Sequence, residues 1–325
     1  LPARVDRRRH PISLRRSAAA RAWQRPAWLA SSGSAMLIGM QYEVVSAEVP
    51  LGEGPVWCPD GSLVVTTISP GRLLRLDPKT GRATTIASVQ GGANSAHLAS
   101  DGGFAVTNNG GIDFTVFAVH LGLDPAKIPY QPGPPCLQRV APDGRVTTLA
   151  SEGLQAPNDL AVGADGTIYF TDPPPHGGTQ HKGEPGGRFW AFHPKSGLRR
   201  IASGFEYCNG VALSPEGRLL IVEGRGLLWI DPASGEREWF IEKLPGESPG
   251  DGFAFDLDGR LYCAAPMDHC IRVFDRSGKE LDRVDLGPTA LPTNCCFGGA
   301  DRRTLFTTEL APGRVCAIEG LPTPG

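Results

Sequence analysis

From residue 41 onward the apolar positions fall in short runs separated by turn residues, without the spacing of a long amphipathic helix. Tyr42-Glu43-Val44-Val45-Ser46-Ala47-Glu48-Val49 reads as a strand of β-branched residues with polar interruptions. Val56-Trp57, Leu63-Val64-Val65-Thr66-Thr67, Arg72-Leu73-Leu74-Arg75-Leu76 and Ala83-Thr84-Thr85-Ile86-Ala87 follow as further strands. The breaks between them carry their own chemistry. Asp77-Pro78-Lys79-Thr80-Gly81 returns as His193-Pro194-Lys195-Ser196-Gly197 and Asp231-Pro232-Ala233-Ser234-Gly235, with shortened forms at Pro142-Asp143-Gly144 and Asp275-Arg276-Ser277-Gly278. Proline presets φ for turn entry, and glycine supplies the positive φ at its exit.

A second signal repeats with this one. A polar residue precedes an acidic turn residue by seven positions, six times over: Glu53 before Asp60-Gly61, Asn94 before Asp101-Gly102, Asn158 before Asp165-Gly166, Asn209 before Glu216-Gly217, Asp251 before Asp258-Gly259, and Asn294 before Asp301-Arg302. Successive turn acids lie 41, 64, 51, 42 and 43 residues apart. A period of roughly 40–45 residues with four strands per unit is that of a propeller blade. The pattern therefore predicts an all-β, six-bladed β-propeller over residues 41–325. The last repeat supplies three strands, at 295–298, 305–308 and 314–318, so the strand at 42–49 is expected to close the ring and cover a sheet edge. Two insertions break the period, at 110–137 and 172–187, and both are expected to border a binding mouth.

Composition narrows the partners. The net charge is −2, yet residues 1–35 hold eight Arg and one Asp; removing them from 32 bases and 34 acids leaves 24 and 33, an acidic body of −9. That disfavours nucleic acid. No apolar run is long enough to span a bilayer. The eight cysteines are scattered without a Cys-x-x-Cys pair, which reads as buried free thiols in a reducing compartment rather than zinc or a disulfide framework. Residues 1–40 read as an extension outside the fold: an artefact, a disordered tail or a targeting stretch. A cytoplasmic location is the expectation.

The six repeat-equivalent residues, Glu53, Asn94, Asn158, Asn209, Asp251 and Asn294, all carry a side-chain oxygen and would face the propeller axis at one height. Two carboxylates with converging amide oxygens make a hard-oxygen site of the kind Ca²⁺ takes. Asn209-Gly210 and Asp251-Gly252 also read as plain turn pairs, a reading that covers Glu53 poorly. His97, three residues past Asn94, and Asn108-Asn109 could face the mouth, and His176 and His181 on the second insertion could cover a substrate. Trp57, Trp190 and Trp229 read as inter-blade packing. There is no Gly-x-Ser-x-Gly elbow or phosphate loop.

Gly52-Glu53-Gly54-Pro55-Val56-Trp57, Pro157-Asn158-Asp159-Leu160, Cys208-Asn209-Gly210-Val211-Ala212-Leu213-Ser214-Pro215 and Gly250-Asp251-Gly252 resemble, in order, the signatures of the gluconolactonase, senescence marker protein (regucalcin) and luciferin-regenerating enzyme family. The resemblance spans about 41–320. It implies a six-bladed propeller with one divalent cation, Ca²⁺ first, with Zn²⁺, Mg²⁺ or Mn²⁺ as alternatives. It implies Glu53, Asn209 and Asp251 as core metal ligands, Asn158 as a fourth ligand or substrate contact, and Asp159 as a supporting or substrate-side group. It further implies Asp251 as base or nucleophile; the expected reaction is hydrolysis of a small lactone or similar cyclic ester, and Asn158 and Asn94 are expected to orient the substrate. The organophosphate-hydrolysing diisopropylfluorophosphatase shares the arrangement, so an organophosphate hydrolase and a non-catalytic Ca²⁺-binding module are the rival expectations. Sugar-lactone members often carry Arg two residues before the blade-three Asn; Ala156 stands there instead, which weakens the expectation of a polyhydroxylated substrate.

Overall fold

The computed structural model describes residues 40–175 and 186–325, which form 24 strands in six four-stranded antiparallel sheets: a six-bladed β-propeller. Blade one is β2 (Gly52–Trp57), β3 (Leu63–Thr67), β4 (Arg72–Leu76) and β5 (Ala83–Ser88). Blade two is β6 (Ala93–Leu98), β7 (Phe104–Asn108), β8 (Cys136–Val140) and β9 (Val146–Ala150). Blade three is β10 (Leu160–Val162), β11 (Ile168–Asp172), β12 (Gly187–His193) and β13 (Gly197–Phe205). Blade four is β14 (Cys208–Leu213), β15 (Leu219–Glu223), β16 (Gly226–Ile230) and β17 (Arg237–Ile241). Blade five is β18 (Phe253–Phe255), β19 (Leu261–Ala265), β20 (Cys270–Phe274) and β21 (Glu280–Asp285). Blade six is β22 (Pro292–Gly298), β23 (Thr304–Glu309), β24 (Val315–Ile318) and, from the other end of the fold, β1 (Glu43–Ser46). The innermost strands β2, β6, β10, β14, β18 and β22 pack each on the next, and β22 on β2, so the ring is closed. Among the described residues no helix is long and apolar enough to cross a membrane. The reading of residues 1–40 as an extension falls almost wholly on residues outside the described ones.

The hydrophobic core is divided among the blade junctions. Leu73, Val89 and Val64 of blade one meet Phe104, Val106 and Val140 of blade two, and Phe189 and Phe205 of blade three meet Val211, Ile221 and Leu228 of blade four. Trp57 stacks on Phe306 across the one–six junction with ring centroids 5.3 Å apart, and Trp229 on Phe255 across four–five at 6.2 Å. Trp190 packs with Ala105 and Leu137 of blade two, and its Nε1 donates to Asp172 Oδ2 at 2.9 Å. All eight thiols are free, and all but Cys296 are fully buried.

The turn chemistry works as the sequence implies. Gly61, Gly102, Gly166, Gly217 and Gly259 all have positive φ. Where glycine is replaced, Arg302 itself takes φ +61°, a conformation that costs an L-residue about 1–2 kcal/mol.

β1 closes the ring by pairing with β24, Glu43 opposite Ala317 and Val44 opposite Cys316. Just before it, Tyr42 Oη donates to the Leu286 carbonyl at 3.0 Å, and Val45 packs against the core of blades one and six. A chain starting at residue 50 should therefore melt lower than one starting at residue 40, by on the order of 10 °C, because β24 becomes an open edge. Thermal denaturation of the two truncations checks this; equal melting temperatures would show that β1 contributes nothing to closure.

Candidate functional site

Each innermost strand is irregular at its repeat-equivalent polar residue. Register shifts fall between Glu53 and Val56, Ala93 and Ala96, Cys208 and Val211, and Pro292 and Asn294. Asn158 and Asp251 precede the regular parts of β10 and β18. A bulge re-aims a side chain that a flat strand would point into a neighbouring blade. The glycines beside these residues serve the same packing. A Cβ on Gly210 would lie 2.3 Å from the Asp251 carbonyl, and one on Gly252 would lie 2.0 Å from Asn294 Cγ. Neither glycine has the positive φ of a turn. Asn209-Gly210 and Asp251-Gly252 are thus close-approach pairs between blades rather than turns.

A further layer had escaped the sequence reading. Thr66 Oγ1 donates to the Asn94 carbonyl, Thr107 Oγ1 to that of Asn158, and Thr171 Oγ1 to that of Asn209 at 2.6 Å. Each hydroxyl on the second strand of one blade thereby fixes the ring residue of the next. The signal was available: position +13 from the ring residue is Thr66, Thr107, Thr171, Val222, Ala264 and Thr307. In blade six Thr307 holds the carbonyl of Asn294 in its own blade, at 2.9 Å.

Glu53, Asn94, Asn158, Asn209 and Asp251 converge on the floor of one cavity of about 710 Å³. All except Asp251, which is partly exposed, are buried. The side-chain oxygens of Asn94, Asn158 and Asn209 have no hydrogen-bond partner. A buried unpaired carbonyl costs roughly 1–3 kcal/mol, so three aimed at one space call for an occupant that accepts oxygen donors. The sixth residue differs. Asn294 Nδ2 donates to both oxygens of Asp159, at 2.8 and 3.0 Å, and its Oδ1 accepts from Cys295 N at 2.8 Å, so its amide is already spent.

Burial pushes the Glu53 carboxyl well above its usual range, helped by the charges of Asp251 and Asp159. Burial, then the charge of Asp159, does the same to Asp251, against a hydrogen bond from the Asn209 side chain. Asp159 is pushed up to about 7 by burial, opposed by hydrogen bonds from Asn294 and Ser95. Three neighbouring carboxyls are a place for positive charge. Among the described residues no three His, Cys, Asp or Glu side chains are grouped to hold an ion by themselves. The donor set is instead mixed, two carboxylates with three free amide oxygens, which suits a hard cation needing six to eight oxygens, the remainder from water or substrate.

The other expected residues lie elsewhere. His97, expected at the substrate, lines a second cavity of about 430 Å³. Three residues along a strand advance it by roughly 10 Å, which carries it past the ring to the far end of β6. Burial lowers its pKa. Asp159 lines that second cavity too, and supports the ring through Asn294. Asn109 joins neither cavity lining, and its Oδ1 accepts from Gly111 N at 2.9 Å. Ala156 is buried, and its N–H donates to Asp172 Oδ1 at 2.7 Å. His176 and His181 lie outside the described residues. Tyr207, which the sequence reading passed over, lines the 710 Å³ cavity, and burial followed by the charges of Asp251 and Cys208 holds its phenol protonated. It stands two residues before Asn209, just ahead of β14.

Residues 51–311 match the SMP-30/Gluconolactonase/LRE-like region. The chain is 26% identical over 300 residues to a gluconolactonase of Zymomonas mobilis, covering 81% of this chain and 77% of that protein. It is 26% identical over 277 residues to the pentonolactonase XacC of Haloferax volcanii, covering 82% and 83%. The crystal structure of a calcium-binding protein, regucalcin, from Agrobacterium tumefaciens shares the fold with a TM-score of 0.69, at 18% identity and covering 88% of this chain and 96% of that one.

The raised carboxyls set a pH dependence. The ordinary Asp value is 3.8 and that of folded Asp159 is about 7, so between the two the folded chain holds protons the unfolded chain has lost. Stability of the cation-free protein therefore falls as pH rises from about 4 to about 7. Surface carboxylates held low, such as Asp77 by the Lys79 N–H and the Thr80 hydroxyl, act below that window. Melting temperatures in chelator should decline across it, and millimolar Ca²⁺ should flatten the decline; a flat or rising curve in chelator would contradict the buried-carboxyl reading.

Proposed function

The chain belongs to the SMP-30/Gluconolactonase/LRE-like family, and on that premise we propose that it is a cation-dependent hydrolase that opens a lactone ring at the floor of the 710 Å³ cavity. The observation that carries the reading is the convergence of three unpartnered amide oxygens with Glu53 and Asp251. Glu53, Asn158, Asn209 and Asp251 would hold the ion, with Asn94 close enough to the same floor to share it or to orient substrate. That the Agrobacterium tumefaciens regucalcin is a calcium-binding protein supports Ca²⁺ as the first candidate. When bound, a divalent cation supplies a Lewis-acid contact for the ester carbonyl and neutralises the two carboxylates.

The chain's own groups do the rest. Asp251 is the ring carboxylate with partial exposure to the cavity, so its free oxygen can take the proton of an attacking water. The Asn209 amide, bonded to Asp251, fixes that carboxylate's orientation. Glu53 is more deeply buried and receives the Gly54 N–H at Oε2, 3.2 Å, which suits it to holding charge rather than moving protons. The Tyr207 phenol, kept protonated, is a donor on the same wall. The relatives named as a gluconolactonase and a pentonolactonase support the reaction class.

Acid release measured in a pH-stat on a lactone panel and on a fluorophosphate, with and without chelator, tests this. Lactone hydrolysis lost in chelator and restored by Ca²⁺ is the expected result. Asp251→Asn should lower kcat about 10²–10⁴-fold while the fold is retained by circular dichroism. Turnover of the fluorophosphate alone would reassign the site to phosphoester chemistry, and no chelator-sensitive release from any compound would point to a binding module.

A further inference from the structure

The floor and walls of the 710 Å³ cavity differ in kind. The floor is the oxygen ring, with Glu53 3% and Asn94 1% exposed. The walls are Ile68, Ile112, Phe114, Leu291 and Leu310, and the mouth carries Val116, Phe117 and Met267, of which Val116 is 65% and Met267 62% exposed. Exposed apolar residues scattered singly need no explanation, but a group rimming a cavity marks a surface kept for a ligand.

Much of that wall is built by the insertion between β7 and β8, and it is held in place. Ala118, Leu123 and Ile128 are buried against Leu51, Ile68 and Ala311. Ser69 Oγ donates to the Pro129 carbonyl at 2.8 Å, and Gly91 N to the Gln131 carbonyl at 2.9 Å. The wall is therefore in place before a ligand arrives, so an apolar partner does not have to order it.

Polar groups on the wall are few. Tyr130, Tyr207, Thr293 and Asp113 line the cavity, and Asp113 already accepts from Thr115 N at 3.0 Å. Among the described lining residues there is no Arg, Lys or His. A polyhydroxylated ring would carry more hydroxyls than these few groups can partner, and each one left against carbon has a desolvation cost. Beyond an ion held at the floor, a carboxylated, sulfonated or phosphorylated substrate would find no Arg, Lys or His among the described lining residues, and would meet Asp113 on the wall.

We propose that this site takes a neutral lactone bearing an apolar alkyl or aryl substituent, with the ester carbonyl at the oxygen ring and the substituent lying along Phe114, Phe117 and Met267. This rests on the lactone-hydrolase reading above and adds to it the class of substrate. Bound this way, the substrate sets its only strong acceptors at the ion that the oxygen ring would hold and leaves its carbon against carbon.

The test is a series of neutral γ-lactones with unbranched side chains from methyl to octyl, set against glucono-1,5-lactone, assayed on the full chain with Ca²⁺. The value of kcat/KM should rise about fourfold for each methylene that reaches the wall, and glucono-1,5-lactone should fall below the butyl compound. In Phe114→Ser and Phe117→Ser the dependence on chain length should flatten, read as the ratio of octyl to methyl within each variant. Turnover of glucono-1,5-lactone with a flat or falling alkyl series would overturn the apolar assignment and leave lactone hydrolysis standing. If no lactone is hydrolysed, calorimetric titration with octyl lactone and with glucono-1,5-lactone decides the same point by binding. Tighter binding of the octyl compound upholds the assignment although the hydrolase reading has failed, and equal or weaker binding overturns it.

Discussion

Three neighbouring carboxyl groups, two buried and the third only partly open to the cavity, are the constraint around which this propeller is arranged. Burial raises the pKa values of Glu53, Asp159 and Asp251, and the charge of Asp159 raises Glu53 and Asp251 further. An apolar filling of the channel would be simpler for stability alone, since buried charge is expensive and is tolerated where it is matched. The local irregularities of the inner strands follow from aiming these groups. The bulges re-aim the side chains, Gly54, Gly210 and Gly252 let adjacent blades approach where a Cβ would collide, and threonine hydroxyls tie ring carbonyls to the preceding blade. Asn294 shows the same economy: its amide is used entirely within the protein, steadying Asp159, and leaves five oxygen donors rather than six at the cavity floor.

Much of the fold was legible because a repeat states its own register. The seven-residue interval from ring residue to turn acid marks the inner strand and its exit, and the Asp/His-Pro-x-x-Gly units mark the turn into the fourth strand. The strand left over at the start and the one lacking at the end supplied ring closure. Arg302 fills a glycine position without altering the turn, showing that the register survives a local rule being broken. Threonine recurs at four of the six +13 positions, yet a hydroxyl's partner in the next blade is a tertiary contact that no strand pattern states.

The candidate site divides along the same line. Glu53, Asn94, Asn158, Asn209 and Asp251 share a repeat position, and that position places them together. His97 has the right chemistry and lies only three residues from Asn94, but distance along an extended strand takes it to the opposite cavity. Tyr207 stands only two residues before Asn209, but nothing in its neighbours distinguishes a cavity tyrosine from a core one. The identity of the wall was the least legible part. It depends on which carbon atoms of an irregular insertion turn inward, and an insertion has no period to report that.

The separation has a consequence for how such a site can change. Asn94, Asn158 and Asn209 are each tied to the preceding blade as well as their own, so a substitution there disturbs packing as well as chemistry. Much of the wall comes from connections between the second and third strands of a blade: Ile68 between β3 and β4, the insertion between β7 and β8, Met267 between β19 and β20, and Leu310 between β23 and β24. Those connections leave the innermost strands untouched, and strand register on either side of them is fixed by the ladder rather than by the loop. Selectivity can therefore drift with the connections while the reacting centre stays fixed. In this chain the described connections that line the cavity are rich in carbon and bring no Arg, Lys or His to it, so on the reading proposed above desolvation of the wall would govern what enters, and charge would govern what happens at the floor.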